Sequence, residues 1–510
     1  MKQKSDVAGI LDFLDPEQRQ AAQTVEGPVI IVAGAGTGKT RTITHRIAYG
    51  CHAGGWKPNE VLAVTFTSKA AREMQERLEL LGISGVNVYT FHAAALKQMQ
   101  LFWPKVVGTL PPKLETNKLV HIYDAAKVHQ VEINQADARF ISDEISFAKV
   151  SLISTAEYED MVKNMNRIFP EHLPIRIVAK LYEEYDNIKS RRGFVDFEDI
   201  ILVMIHMIST RKAVAKEIRE MYKHIIVDEY QDVSPLAQSL LNCWLSTSRE
   251  VCVVGDPSQT IYSFTGANPK YLLDFERKYK AKRAGDSAVQ RIELIRDYRS
   301  TDPIVGLANN ILKLRGPGSF PPLKLISAAK NYNSKLFPVE YNEYFDDQAE
   351  AQAVVQKIEE LIKSGQYRPG DFAILTRINV QLDVFETSFK NRKISYTLKK
   401  SKNALINEVD YSPPSEEVKE VATNTVTLAS LHSTKGLEFT CVFLCGLSDG
   451  NMPISKARTQ EDIEEERRLL YVGVTRAKQR LFMSFARQKA AGSMHTRQRS
   501  RFLDTIWSAK

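Results

Sequence analysis

The chain has 510 residues, and its 43% apolar and 25% charged residues are the composition of an ordinary folded protein with about three or four domains. Its formal charge of +8 is a mild excess that favours polyanionic partners only weakly. The cysteines form no CxxC pair, and we find no secretory leader or membrane-length apolar run, so we expect a cytoplasmic protein without disulfides, zinc or membrane contact.

Short apolar runs in the first half of the chain predict parallel β-strands. They read PVIIVAG, EVLAVTFT, YKHIIVDEYQD and EVCVVGD. Each is rich in Val and Ile and ends in a Gly-rich or charged turn, which is typical of buried strands whose carboxyl ends carry ligand groups. The sequence therefore predicts an α/β domain of the P-loop type.

Between residues 93 and 192 the pattern changes to a 3.6-residue period with hardly any strand signal. We interpret this stretch as a helical domain inserted into the first α/β domain. The first domain would then occupy residues 1–92 and continue from 193 to 284.

A second α/β domain is predicted over residues 285–397 and 426–510. Its strand candidates are QRIELI, DFAILTR, NTVTLASLH, TCVFLCGL and QRLFMSFA. The polar, aperiodic stretch between them, residues 398–425, is predicted to be a short linker.

A glycine-rich turn follows the first strand, where Ala33–Thr40 reads AGAGTGKT. Its backbone N–H groups would cradle phosphates, Lys39 would reach the β and γ oxygens, and the Thr40 hydroxyl would bind Mg²⁺. The alternative is a structural glycine turn without a ligand. The cradling residues would be Ala33, Gly34, Ala35, Gly36, Thr37 and Gly38.

An acidic pair follows the third strand, in the segment DEYQD. Asp228 would hold Mg²⁺ through water, and Glu229 would polarise the attacking water. A kinase would also need a site for an acceptor hydroxyl, and no motif offers one.

The ordered motifs AGAGTGKTRT, AVTFTSKAA, YTFHA, DEYQD, VVGDPSQTIYSFTGA, DYRST, TLASLHSTKGLEF and EEERRLLYVGVTRAK resemble those of the UvrD/Rep/PcrA group of superfamily 1 DNA helicases. The variants SFTGA and LASLH resemble the second UvrD-type helicase of actinobacteria. The resemblance covers nearly the whole chain. It implies an α/β fold with two RecA-like P-loop parallel-sheet domains in tandem and a helical insert domain in the first.

The resemblance also implies roles around ATP. Gln18 would read the adenine edge, Tyr298 would stack on the base, Arg41 would lie nearby, and Glu438 would contact the ribose.

At the phosphate end, Gln259 would sense the γ-phosphate or orient water. Arg299 and Arg476 would be arginine fingers from the second domain, because a planar, permanently charged fork can meet phosphoryl oxygens bidentately. Binding across a cleft would close two lobes and hydrolysis would release them, which is the cycle of a motor.

Aromatic and hydroxyl side chains after the strand ends predict a DNA track. Hydroxyl and backbone donors would meet phosphates, and flat aromatic faces would stack on bases without sequence preference. These candidates are Thr65, Phe66, Thr90, His92, Tyr262, Phe264 and His432. The basic cluster Lys189–Arg192 would either line this path or form a solvated turn.

The resemblance implies an ATP- and Mg²⁺-dependent 3′→5′ helicase that acts on single-stranded DNA and on junctions of single- and double-stranded DNA, in repair or replication restart. We expect a nucleoid-associated monomer or DNA-induced dimer with a repair-protein partner. Two alternatives remain: a translocase subunit that strips proteins from DNA or serves a nuclease complex, and a scaffold with an inactive P-loop.

Three departures from the family pattern affect DNA handling. The linker at 398–425 replaces a large helical insert, Phe264–Thr265 stands where relatives have Trp–Arg, and the C-terminal hairpin stretch has no aromatic at its tip beyond His495. We therefore expect translocation to be stronger than strand separation.

Overall fold

A computed structural model describes residues 9–165, 167–281, 287–313, 321–329, 337–399, 424–490, 493 and 496–507. The strands are β1 (Val29–Ala33), β2 (Val61–Thr65), β3 (Asn87–Thr90), β4 (Lys113–Leu114), β5 (Phe194–Val195), β6 (His224–Val227), β7 (Val251–Gly255), β8 (Gln290–Leu294), β9 (Arg296–Asp297), β10 (Ile326–Ser327), β11 (Glu340–Asp346), β12 (Phe372–Thr376), β13 (Tyr396–Lys399), β14 (Val426–Ser430), β15 (Phe439–Leu444) and β16 (Ala477–Gln488).

The α-helices are α1 (Pro16–Gln23), α2 (Lys39–His52), α3 (Ser68–Leu80), α4 (Phe91–Val107), α5 (Lys118–Val128), α6 (Gln135–Val150), α7 (Tyr158–Asn164), α8 (Ile175–Arg192), α9 (Phe197–Thr210), α10 (Lys212–Met221), α11 (Pro235–Leu245), α12 (Lys270–Leu273), α13 (Phe275–Lys278), α14 (Asp302–Lys313), α15 (Asp347–Lys363), α16 (Asp383–Arg392), α17 (Gln460–Val474) and α18 (Asp504–Trp507). Within the described ranges, no helix combines the length and apolarity that a membrane span needs.

The first lobe contains a six-stranded parallel sheet with the order β3-β2-β6-β7-β1-β8. Alternate residues of β1 enter different cores: Ile30 and Val32 pack on one face, and Val29 and Ile31 on the other. Both faces of the central strands are therefore buried, which explains their continuous apolar sequence.

Strand β8 corrects one prediction. The run QRIELI was assigned to the second domain, but Gln290–Leu294 pairs in parallel with β1, from Val29 opposite Gln290 to Ala33 opposite Leu294. Its exposed outer face gives it the alternating pattern of an edge strand, and nothing in that pattern says which sheet it joins.

The second lobe contains a six-stranded parallel sheet with the order β11-β16-β15-β12-β14-β13. The predicted fold class, two parallel-sheet P-loop-type domains in tandem, is confirmed. Strands β11 and β13 were not predicted, and β13 corrects the start of the predicted linker because Leu398 and Lys399 belong to the sheet. The rest of that linker, residues 400–423, lies outside the described residues.

The helical insert has its own core, built from α5 to α8 and from residues between Leu119 and Phe194. Helix α4 belongs elsewhere: Ala94, Ala95 and Met99 pack into the core of the first lobe. Residues 93–107 therefore lie with the first lobe, although the pattern change at residue 93 placed them in the insert.

A buried cluster of charges joins the insert to the first lobe. Lys149 on α6 contacts the carboxylates of Asp196 at 2.6 Å and Asp199 at 2.9 Å, and Lys189 on α8 contacts Asp199 at 2.5 Å. Burial opposes the charge of Lys149, but Asp196, Asp199 and Asp186 outweigh it and raise its pKa well above the usual value. Asp196 and Asp199 also form the capping box of α9, so the cluster fixes the point where the chain returns to the motor core.

We expect the variant Lys149→Ala to lower the free energy of unfolding by about 3–5 kcal/mol, because it removes the cation nearest to the buried carboxylate of Asp196 and leaves Asp196 and Asp199 to share Lys189. Urea unfolding followed by circular dichroism at pH 7 measures this change. The matched control is Lys163→Ala, which removes an exposed pair with Glu159 and should change the free energy of unfolding far less. Equal losses in the two variants would contradict the structural role of the cluster.

Candidate nucleotide site and nucleic-acid cleft

The glycine-rich turn lies between β1 and α2 as predicted, and two of its glycines are required by geometry. Gly36 and Gly38 have φ values of 71° and 80°. A Cβ on Gly36 would lie 1.9 Å from a carboxylate oxygen of Asp297, and one on Gly38 would lie 2.8 Å from the amide nitrogen of Gln18. The turn is therefore enclosed by neighbouring segments and presents its backbone to the cleft.

The acidic pair follows β6, beside this turn. Lys39 lies 3.8 Å from Glu229, and Gln231 donates to Glu229 at 2.5 Å. Burial would raise the pKa of Glu229, but Lys39 and Lys435 outweigh it and lower that pKa to about 2. Glu229 is therefore ionised at neutral pH.

Asp228 has the opposite electrostatic situation. Burial and the adjacent charge of Glu229 raise its pKa to about 7, against the opposing effect of Lys39. Asp228 accepts a hydrogen bond from the backbone N–H of Glu229 at 2.9 Å. Glu229 itself has a left-handed φ of 50°, an unusual conformation for a non-glycine residue that often marks functional sites.

A buried amide network connects the acidic pair to the next strand end. The side chain of Gln231 accepts from the backbone N–H of Asp256 at 3.0 Å. Asp256 in turn accepts from the amide of Gln259 at 2.8 Å and from the hydroxyl of Tyr471 at 3.4 Å. Gln259 is thus oriented by groups from both lobes.

The two arginines predicted as fingers lie close together in the second half of the cleft. The guanidinium of Arg299 lies 2.6 Å from Glu438 and donates to the carbonyl of Thr475 at 3.3 Å. Arg476 donates to the carbonyls of Val472 at 2.9 Å and Leu437 at 3.0 Å. Burial and the adjacent Arg299 lower the pKa of Arg476 to about 9, so it remains charged at neutral pH.

The residues that were predicted to lie near the base of the nucleotide are found around the start of α1. Gln18 is buried and donates to the carbonyl of Thr37 at 2.9 Å. Arg41 donates to the carbonyl of Phe13 at 2.8 Å, and Tyr298 donates to Asp15 at 2.6 Å. These contacts hold the N-terminal segment against the glycine-rich turn.

One cleft with a volume of about 1450 Å³ collects most of the predicted residues from both lobes. It is lined by Gly34, Ala35, Gly36, Thr37, Gly38, Lys39, Thr40, Thr65, Phe66, Asp228, Glu229, Gln259, Tyr262, Phe264, Tyr298, Arg299, His432, Glu438 and Arg476. The predicted residues Gln18, Ala33, Arg41, Thr90 and His92 are not among its lining groups.

The segment from Asp256 to Thr265 is held by the second lobe. Arg468 of α17 donates to the carbonyl of Thr260 at 2.8 Å, and Glu465 accepts from the backbone N–H of Ser263 at 3.1 Å. Lys435 forms an ion pair with Asp232 and donates to the carbonyl of Gln259 at 2.7 Å. One segment of the first lobe therefore receives contacts from two elements of the second.

An aromatic row crosses the two lobes next to this segment. Phe66 stacks on Tyr262 with ring centroids 5.6 Å apart, and Phe264 meets His432 edge-on at 5.6 Å. Tyr262 is buried, and its hydroxyl donates to the carbonyl of His432 at 3.1 Å. Phe264, 57% exposed, is the member whose face is open to solvent.

His432 lies in a basic environment. Burial, Arg377 and Lys435 lower its pKa to about 3, so its imidazole is neutral at physiological pH. Arg377 is itself held by a bidentate pair with Glu466 at 2.7–3.0 Å. His432 would therefore contact a phosphate as a neutral hydrogen-bond donor.

The remaining DNA candidates have different surroundings. The hydroxyl of Thr65 is buried at the cleft wall and has no hydrogen-bond partner among the described residues. Thr90 caps α4 by accepting from Ala93 at 3.2 Å, and His92 stacks on Phe197 at a centroid distance of 3.9 Å.

The charged residues of the basic cluster Lys189–Arg192 are paired with nearby carboxylates of the insert and of its junction with the first lobe. Lys189 is buried in the charge cluster, Arg191 pairs with Glu184, and Arg192 pairs with Asp124 at 2.8 Å. Of the two alternatives from the sequence, this geometry favours a structural turn. His495, the only aromatic near the predicted hairpin tip, lies outside the described residues.

The acidic end of the cleft suits a divalent cation. No group of three or more His, Cys, Asp or Glu side chains that could hold a metal occurs in the described ranges. A magnesium ion that is bound chiefly by phosphates needs only one or two protein oxygens. Thr40 and the charge-repelled carboxylate of Asp228 fit that smaller donor set.

Comparison with known families assigns almost the whole chain. The family model of the UvrD/REP helicase N-terminal domain matches residues 14–280. The family model of the UvrD-like helicase C-terminal domain matches residues 292–406 and 400–488, in two pieces that meet at the short linker.

Curated relatives agree with these matches. The ATP-dependent DNA helicase UvrD2 of Mycobacterium tuberculosis, and likewise that of Mycobacterium bovis, is 37% identical over 97% of this chain and 81% of the relative. The ATP-dependent DNA helicase PcrA of Staphylococcus aureus is 31% identical over 76% of this chain and 51% of the relative. The UvrD2 alignment spans 584 positions, more than this chain has residues, so the relative carries residues without a counterpart here.

Several residues that shape the cleft were not singled out from the sequence. Lys435, Gln231 and Tyr471 lie inside quoted motifs, but their contacts depend on how the two lobes meet. Phe197 lies just after residue 193, where the first domain was predicted to resume, in a stretch without a quoted motif. Its stacking on the candidate DNA residue His92 joins residues far apart in the chain, so it can be recognised only from the fold.

The raised pKa of Asp228 predicts a pH-dependent stability. The folded state holds its proton more tightly than the unfolded state, so this group costs stability as the pH rises from about 4 through about 7. Without nucleotide or divalent cation, we expect Asp228→Asn to raise Tm by about 2–5 °C at pH 8 and by less at pH 5.5.

Thermal unfolding in the presence of a chelator measures this difference. Asp274→Asn, which changes an exposed carboxylate paired with Arg277, is the control and should leave Tm nearly constant at both pH values. A variant at Asp228 that is less stable than the parent at pH 8 would contradict the buried-charge argument.

Proposed function

The chain belongs to the UvrD/Rep family of helicases, and from that premise we propose that it is an ATP-dependent DNA helicase that moves 3′→5′ along single-stranded DNA. The proposed substrates are ATP, single strands and junctions of single- and double-stranded DNA, bound without sequence preference. Repair or replication restart is the proposed setting. The domain limits are proposed with the corrections given above for β8, residues 93–107 and β13.

One observation carries the proposal: the glycine-rich turn, the acidic pair and two arginines of different segments line the same cleft as the aromatic row. A nucleotide switch or a kinase needs the glycine-rich turn and the acidic pair, but it does not need the aromatic row. Only a motor needs a phosphate site and a stacking surface that share one segment between two lobes.

The residues divide the work of hydrolysis by charge. Lys39 would neutralise the terminal phosphates and leave its pairing with Glu229, whose ionised carboxylate would then polarise the attacking water. Arg299 and Arg476 would stabilise the charge that develops on the transferred phosphoryl group. Thr40 and Asp228 would hold Mg²⁺, which supplies further charge neutralisation when bound.

The segment from Asp256 to Thr265, which contacts the second lobe, would couple hydrolysis to movement along DNA. Gln259 lies at the phosphate side of the segment and Phe264 at its aromatic side, while Arg468 and Glu465 hold its backbone from the second lobe. A change in the separation of the lobes therefore changes these contacts, and with them the position of the stacking surface between the lobes. This supports coupling between phosphate release and displacement along a strand.

A translocase with weak unwinding is the second candidate. The C-terminal family model breaks at residues 400–406, where the sequence has only a short linker. Every residue that we propose for hydrolysis lies outside that interval of the sequence, which supports intact hydrolysis and movement. A translocation assay and a duplex-displacement assay on the same preparation separate the two candidates.

Direction can be tested by the release of streptavidin from biotinylated oligonucleotides. A 3′→5′ motor releases streptavidin from a 5′ biotin much faster than from a 3′ biotin, and only with ATP. Release from the 3′ end alone would overturn the proposed polarity. Absence of DNA-stimulated hydrolysis would overturn the motor proposal as a whole.

We expect Arg299→Ala and Arg476→Ala each to lower kcat for DNA-stimulated ATP hydrolysis by about 100- to 1000-fold, because each removes a charge that stabilises the transition state. Steady-state hydrolysis with saturating oligo(dT) measures this loss. Arg277→Ala, an exposed arginine paired with Asp274, should retain the parent kcat. Full turnover after both cleft arginines are replaced would contradict the proposed mechanism.

We expect Phe264→Ala to weaken binding of oligo(dT) by about 5- to 100-fold, because it removes a stacking face that stabilises each bound base by about 1–3 kcal/mol. Fluorescence anisotropy at fixed salt measures Kd. The matched control is Phe345→Ala, since Phe345 is 58% exposed on the edge strand β11 and does not line the cleft. Similar losses in both variants would show that the row has no special role.

A further inference from the structure

One carboxylate at the start of α1 serves two groups. The first oxygen of Asp15 accepts from the backbone N–H of Gln18 at 2.7 Å and caps the helix. The second oxygen accepts from the hydroxyl of Tyr298 at 2.6 Å, across 283 residues of sequence. Both groups are candidates for contact with a nucleobase, so Asp15 links the group that reads its edge to the group that stacks on its face.

The Tyr298 ring is fixed at both ends but open at its face. Its backbone N–H donates to the carbonyl of Gly36 in the glycine-rich turn at 3.0 Å. The side chain is 43% exposed and lines the cleft, so its hydroxyl is held while the ring remains accessible. Holding a side chain before a ligand arrives reduces the rotamer entropy that binding would otherwise cost.

A neighbouring ion pair supports the same alignment. Glu17 of α1 pairs with Arg296, two residues before Tyr298. Two contacts thus tie the first turn of α1 to the crossover between the sheets, but only the one from Asp15 reaches the ring. This difference provides a matched control.

We propose that Asp15 is a positioning residue that orients Tyr298 as a stacking platform for the base of the nucleotide. The inference rests on the proposed ATP site and deepens it. A carboxylate suits this task because a hydrogen bond to an ionised acceptor is shorter and stronger than one between neutral groups. The same carboxylate caps the first turn of α1 and so holds Gln18 next to the glycine-rich turn. Asp15 therefore positions both the residue proposed to read the edge of the base and the residue proposed to stack on its face.

The test uses the full chain with saturating oligo(dT) and ATP as the varied substrate. Asp15→Ser keeps a good helix cap but is too short to reach Tyr298, and Tyr298→Phe keeps the ring without the hydroxyl. We expect each variant to raise KM for ATP by about 5- to 10-fold, with kcat changed less than about twofold for Asp15→Ser. The double variant should match either single variant, because both remove the same hydrogen bond.

Three further measurements make the outcome decisive. Glu17→Gln should leave KM within about twofold of the parent. Asp15→Asn keeps the oxygen that caps α1 and turns an NH₂ group toward Tyr298, which can donate to the hydroxyl oxygen but cannot accept from it, so it should raise KM less than Asp15→Ser. Thermal unfolding should show Asp15→Ser close to the parent in Tm. A parent-like KM in Asp15→Ser, or KM increases that multiply in the double variant, would overturn this inference; an inactive parent protein would instead overturn the proposed function.

Discussion

Three buried carboxylates that follow strand β6 of the first sheet determine which charged groups the rest of the cleft must supply. Asp228, Glu229 and Asp232 lie within one turn of chain, and burial disfavours the ionised form of each. Lys39 of the glycine-rich turn balances Glu229, and Lys435 of the second lobe balances Asp232. Asp228 is left without a cation of its own, so the site is electrostatically incomplete until positive charge arrives.

The excess of buried carboxylates in the first lobe also explains where the second lobe contacts it. The second lobe contributes Lys435, and Arg468 and Tyr471 reach the segment that follows β7. An ion pair buried between lobes favours one alignment, because sliding the lobes would leave the buried carboxylate of Asp232 without Lys435 and would remove the carbonyl contacts. Ile261, Tyr262 and Ala267 also share an apolar cluster with the second lobe, and the directional contacts fix the alignment of that packed surface.

The sequence predicted much of the fold and most of the cleft, for physical reasons that differ by residue. Lys39, Asp228 and Arg476 lie in motifs whose spacing follows from strand ends and helix starts, and the structure brings them into one cleft. Strand β13 was missed because its short run precedes a polar stretch, and β8 was placed in the wrong sheet because pairing depends on the tertiary arrangement. Contacts such as those of Lys435 and Asp15 join residues far apart in the chain, which no local pattern encodes.

The position of strand β8 determines where the chain can be cut to separate the first lobe from the second. A first lobe cut at residue 284 would lose its outermost strand and leave the backbone of β1 unpaired along one side. Such an apolar open edge is a template for intermolecular pairing, so the shortened lobe would self-associate. Proteolytic or genetic dissection of this motor should therefore place the cut beyond Leu294, although the crossover to the other sheet begins there.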